Sequence, residues 1–143
     1  MTADAILYAC NTVAVGLFGI VLSAAFCNIR WDRRNVCYMT AATAAIFLIQ
    51  GIVYLWMDPT LVVYLYPIHT HLPLTLVLCL LSHERLWPVI SVLTAYLCCQ
   101  LRRWLALVCV WVFSGGDQMQ YAVELIVTLP LLLLLLRTAP TVR

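Results

Sequence analysis

Seven polar side chains stand inside stretches that are otherwise almost purely apolar: Gln50, His69, His71, Gln100, Arg102, Arg103 and Glu124. A carboxylate and two guanidinium groups form charge-assisted hydrogen bonds with each other or with a ligand, and the amides and imidazoles add directional donors and acceptors. The chemistry this set supports is binding, and no catalytic set is assigned among them. His69 and His71 are two residues apart and so do not share one face of a regular helix, and a metal would need ligands from elsewhere. No metal and no cofactor is expected. Pro67 and Pro73 flank the two histidines and bend the helix that carries them. Plainer readings stand beside these: Arg102 and Arg103 snorkel toward an interface, and Glu124 is only a structural partner for one arginine. Gln120, Tyr121, Glu124 and Thr128 form a polar stripe expected to face the protein interior.

The elements that position these groups follow from composition. Apolar residues make up 65% of the 143 positions and charged residues 10%, with a mean hydropathy of +1.01. Soluble domains carry about 25% charge. A chain of this size cannot hide so much apolar surface from water, whereas a lipid bilayer solvates it. The expected fold is all-α, a polytopic transmembrane helical bundle forming a single domain over residues 1–143. The formal charge of +2 is small and scattered, which argues against nucleic acid as a partner. The seven cysteines fall within or beside apolar runs with no C-x-x-C spacing and read as small packing residues. The first residues lack a basic n-region, and the apolar run after them is too long for a cleavable signal.

A helix needs about 20 mostly apolar residues to cross the hydrocarbon core. Five segments qualify, at about 5–26, 36–56, 61–81, 86–113 and 119–136. The segment 86–113 contains Gln100, Arg102 and Arg103. Breaking it there leaves two arms too short to cross, so one tilted or bent helix is expected, with a re-entrant break as the alternative. Arg30, Arg33 and Arg34 follow the first segment, Arg85 the third, and Arg137 and Arg143 the fifth, while the turns at Asp58 and Asp117 carry no basic residue. The positive-inside rule then places the N-terminus outside and the C-terminus inside. Trp31, Tyr38 and Trp87 mark the inner interface, and Tyr8, Trp56, Trp111 and Tyr121 the outer one.

At about 1.5 Å per residue, Arg103 lies about 15 Å below Phe113, His69 about 12 Å below Leu61, Gln50 about 9 Å below Trp56 and Glu124 about 8 Å below Met119. Four helices thus contribute polar groups at comparable depths in the outer half, above an apolar inner half. Charges at such depth usually pair or line a wet cavity. Thr12, Gly16, Gly19 and Ser23 form one small-residue face on the first helix. It either packs this bundle or forms the seam of a homodimer.

Two short blocks, Thr70-His71-Leu72-Pro73-Leu74 and Thr94-Ala95-Tyr96-Leu97-Cys98-Cys99-Gln100-Leu101-Arg102-Arg103-Trp104, resemble the membrane sensor region of bacterial GHKL-type sensor histidine kinases similar to Agr-type peptide-pheromone receptors. The resemblance implies a multi-pass domain in a bacterial plasma membrane that detects an extracellular peptide or small ligand. It also implies a dimerising helix and an ATP-binding kinase domain downstream. Nothing here supplies a phosphoacceptor-histidine helix or the Asn- and Gly-containing ATP boxes, and His83 sits in a short turn without that context, so these residues are not expected to be enzymatic. Receptors of the Agr type generally have six or more crossings, whereas five are counted here. Two rivals remain open, a small dimeric transporter using Glu124 and Arg103, and a non-catalytic structural subunit of a membrane complex.

Overall fold

The computed structural model describes residues 3–82 and 86–138. It consists of five helices, α1 (Ala3–Phe26), α2 (Arg33–Trp56), α3 (Pro59–Leu81), α4 (Trp87–Phe113) and α5 (Asp117–Thr138), with no strand among the described residues. Over Ile6–Phe26 and the full lengths of α2, α4 and α5, four helices are long and apolar enough to cross a bilayer; in α3 the described apolar part is Ile68–Leu81. Short turns reverse the chain each time. One end of the bundle therefore carries Asp58 and Asp117 and is here termed the acidic end. The other carries Arg30, Arg33, Arg34 and Arg137 and is termed the arginine end. His83, Arg85 and Arg143 lie outside the described residues.

The helix ends have local causes. Asn28 adopts a left-handed backbone (φ 50°), a conformation asparagine tolerates better than most residues. The amides of Asn28 and Ile29 bond back to the carbonyls of Ala25 and Ala24 at 3.0 and 3.3 Å. This Schellman turn closes α1, and Ile29 folds onto Ala24 in the same buried cluster. Ser114 makes the same left-handed turn at the end of α4, with Gly115 N–H reaching Val110 O at 3.0 Å. α4 is unbroken for 27 residues, and α3 continues through both Pro67 and Pro73.

α1 lies along both α4 and α5, α4 also lies along α5, α2 pairs with α3, and α3 meets α4 more sparsely. α1 and α5 run parallel, with α4 antiparallel to both. The apolar cores sit toward the arginine end. One joins Ile20, Ala24, Met39, Ile46, Leu74, Leu78 and Val92 from the first four helices. The other joins Phe18, Leu22 and Phe26 of α1 to Ala95 of α4, with Leu131, Leu132, Leu135 and Leu136 of α5 against them. Trp87 Nε1 donates to Phe26 O at 2.8 Å and ties α4 to α1 at that end.

The buried positions are often small, such as Ser23, Ala24, Ala95 and Ala106, while large apolar side chains point outward: Leu55 is 80% exposed, Leu80 86% and Trp111 83%. The accessible surface is 9656 Å², against about 7400 Å² for a water-soluble monomer of this mass. Small residues inside and large ones outside suit a bundle whose outer solvent is hydrocarbon. The small face of α1 is used within the bundle. A Cβ on Gly16 would come 2.9 Å from the ring of Phe47 in α2, and one on Gly19 would come 3.6 Å from Cys99 Sγ in α4. The hydroxyls of Thr12, Ser23, Thr40, Thr43, Thr75, Thr94 and Thr128 each donate to the carbonyl four residues earlier, which satisfies them without water.

Candidate functional site

Three helices converge on one buried carboxylate. Glu124 lies seven residues into α5, about 10 Å from the acidic end, and Arg102 lies eleven residues below the end of α4. The Arg102 and Glu124 side chains are 3% and 5% exposed and form an ion pair with Nη2 to Oε2 at 2.9 Å. Arg102 Nη1 donates to Asn11 Oδ1 at 3.0 Å and to Thr128 Oγ1 at 2.9 Å. Asn11 Nδ2 donates to Glu124 Oε2 at 2.7 Å, and Gln120 Nε2 donates to Oε1 at 3.0 Å. Each carboxylate oxygen thus has a donor, and Oε2 has two. Thr128 accepts from the guanidinium and passes its own proton to Glu124 O at 2.6 Å.

The sequence places these groups by helical periodicity. Asp117, Tyr121, Glu124 and Thr128 recur at i, i+4, i+7 and i+11 along one face of α5. On α4, Ala95 and Ala106 lie on the same face as Arg102 and are 1% and 0% exposed. Their small size lets α1 and α5 approach closely enough for one guanidinium to serve both helices. Arg103, one residue on, is rotated about 100° away and is exposed. Of the two arginines, only Arg102 turns inward, and it is the partner of Glu124.

The remaining candidates lie elsewhere. His71 is half-buried on α3, with Nδ1 2.6 Å from Thr70 Oγ1 and its ring edge-on to Tyr96 of α4, centroids 5.1 Å apart. His69 is half-buried two residues earlier. Gln50 and Gln100 are half-buried and make no hydrogen bond among the described residues. Of the seven residues expected to form a ligand pocket or buried polar cluster, the hydrogen bonds draw Arg102 and Glu124 together, with Asn11, Gln120 and Thr128, whereas His71 faces Tyr96. Equal depth along a helix does not imply a shared azimuth. No cluster of His, Cys, Asp or Glu among the described residues is arranged to hold a metal ion.

Asn11 was missed by sequence reasoning although a signal existed. It is an amide inside α1, at the level of Glu124 and seven and eleven residues before Phe18 and Leu22, which both point into the core. Tyr8 is expected only at the outer interface, and no sequence signal singles out Tyr54. Above the network, at the acidic end, an open cavity of about 800 Å³ lies between α1, α2 and the start of α5, lined by Tyr8, Tyr54, Asp117, Gln118, Met119 and Tyr121. Tyr8 and Tyr121 meet edge to face across it, with centroids 5.8 Å apart. Tyr8 stands three residues before Asn11 and Tyr121 three before Glu124, so this vestibule opens one turn above the ion pair.

Comparison with known proteins finds no matching family model, no similar curated protein and no similar solved structure. The site therefore speaks through its own geometry. The charge pair is held by three further side chains, Asn11, Gln120 and Thr128, in a network that links three helices beneath the vestibule. A chain of apolar clusters fills the opposite half.

Proposed function

We propose that this chain is the membrane-embedded, signal-receiving part of a bacterial sensor histidine kinase. It crosses the bilayer five times, with the acidic end outside and the arginine end in the cytoplasm. The described arginines at the chain reversals, Arg30, Arg33 and Arg34, all stand at one end, as the positive-inside rule requires. Trp31, Tyr38, Trp56 and Trp111 are 50–86% exposed, as interfacial aromatic belts should be. An extracellular peptide or small ligand would enter the vestibule. Its arrival would change how Glu124 and Arg102 hold α5, whose other end leads through Arg137 toward the kinase.

The observation that carries this reading is the Asn11–Arg102–Glu124 network, which joins the first and the last described helix directly below the vestibule. Ionisable groups at such depth are expensive and are functional-site hypotheses by default. A transporter is less well supported, because the apolar clusters offer no polar path through the arginine half. The test is a chimera in which the chain is joined after Arg143 to the dimerising helix and catalytic domain of a histidine kinase. Glu124→Gln and Asn11→Leu should shift its basal autophosphorylation at equal membrane abundance. Output that tracks abundance alone would leave the network a purely structural clamp.

A further inference from the structure

The vestibule has a composition of its own, separate from the ion pair beneath it. Three tyrosine rings from three helices converge on it: Tyr8 from α1, Tyr54 from α2 and Tyr121 from α5. Tyr8 and Tyr54 are 48% and 63% exposed, so their rings are open to an incoming group. One carboxylate, Asp117, shares the cavity, and no arginine lines it. Aromatic faces carry negative quadrupole potential, and rings that flank a cation attract it electrostatically. Asp117 adds a full negative charge, which the start of α5 offsets by only roughly half a unit. The Arg102–Glu124 floor is neutral as a pair, and Arg103, whose charge is felt at Tyr121, lies on the exposed face of α4 outside the cavity lining, so Asp117 is the charge that lines the cavity itself.

Interfacial tyrosines commonly serve only as membrane anchors. Anchors point outward around a bundle, whereas these three face one cavity and two of them touch. We propose that the vestibule binds an organic cation, a primary ammonium or guanidinium group carried on an apolar body, such as the amino terminus or a basic side chain of a short peptide. The rings take the cation and its apolar neighbours, and Asp117 takes the charge. This inference rests on the sensing reading and names its ligand class.

The test uses the whole chain in lipid nanodiscs with 3-fluorotyrosine in place of tyrosine. Fluorine resonances are assigned from Tyr8→Phe, Tyr54→Phe, Tyr121→Phe and Tyr38→Phe variants. The probe is phenethylammonium, with 2-phenylethanol as its neutral counterpart and phenylacetate as its anionic one. The cation should shift Tyr8, Tyr54 and Tyr121 saturably in the millimolar range and leave Tyr38, at the arginine end, unmoved. Asp117→Asn should weaken binding about fivefold, as loss of one exposed charge contact does, and Tyr54→Leu should weaken it about fivefold through loss of one ring. Both positions are exposed, so an unchanged Tyr38 signal verifies folding. Equal shifts with 2-phenylethanol or phenylacetate, equal movement of Tyr38, or no saturation below ~50 mM would each overturn the proposal. A chimera that answers to network substitutions while the vestibule ignores the cation removes only the ligand class. Cation binding in a chimera with silent network variants removes only the sensing reading.

Discussion

Asn11 and Glu124 are 113 residues apart in sequence, yet the amide of one donates to the carboxylate of the other at 2.7 Å. The same amide accepts from Arg102 through its oxygen, so it bonds to both members of the ion pair. Asn11→Leu fills similar volume and removes both bonds. It should cost about 1–3 kcal/mol, the penalty for leaving buried polar partners short of a hydrogen bond. Denaturation in mixed micelles, monitored by circular dichroism, measures this. A change under 0.5 kcal/mol (the size of a surface substitution) would mean that Asn11 only fills space.

The pairing of Glu124 with Arg102 rather than Arg103 yields a sharper contrast. Glu124→Ala leaves a buried guanidinium without its counter-charge and should cost about 3–5 kcal/mol. Glu124→Gln keeps a hydrogen-bonding group and should cost less. Adding Arg102→Leu to Glu124→Ala should recover part of the loss, while adding Arg103→Leu should recover none. A double-mutant cycle with no coupling between positions 102 and 124 would contradict the observed 2.9 Å contact.

All seven cysteines are free thiols, and Cys98 and Cys99 pack against the α1–α5 core. A variant with every cysteine replaced by alanine should fold and insert, losing about 1 kcal/mol or less at each exposed position and more at buried Cys27. Its stability should be the same with and without reductant. If the wild type loses its fold on reduction, a disulfide is structural after all.

Reporter fusions test the orientation. Fusions after Arg34, Arg85 and Arg143 should report cytoplasm, and fusions at Asp58 and Asp117 should report the outside. An inside signal at Asp117 would reverse the path assigned to α4, and the vestibule would then open on the cytoplasm.

The helices were legible because hydropathy follows the thickness of the hydrocarbon layer. The expected segments 86–113 and 61–81 differ from α4 and α3 by only one or two residues at one end. α2 begins at Arg33 rather than near 36, and α5 extends from Asp117 to Thr138 beyond 119–136. Hydropathy marks where the oil stops, whereas backbone hydrogen bonding continues into the polar interface. Within the site, Arg102 and Glu124 were legible as deep charges on adjacent helices. The outward turn of Arg103 and the pairing of His71 with Tyr96 were not. Those depend on rotation about each helix axis, which small residues such as Ala95 and Ala106 decide through packing.

The order in which the ion pair is synthesised has a consequence for how the bundle is made. Arg102 precedes Glu124 by 22 residues, which at ordinary synthesis rates is about one to four seconds. During that interval Asn11 is already in place but the carboxylate does not yet exist. The counter-charge of Arg102 thus belongs to the next helix, and the guanidinium of α4 is neutralised only when α5 packs against it. Burial of the α4 arginine therefore depends on α5, and the two helices form one unit of assembly that neither can complete alone.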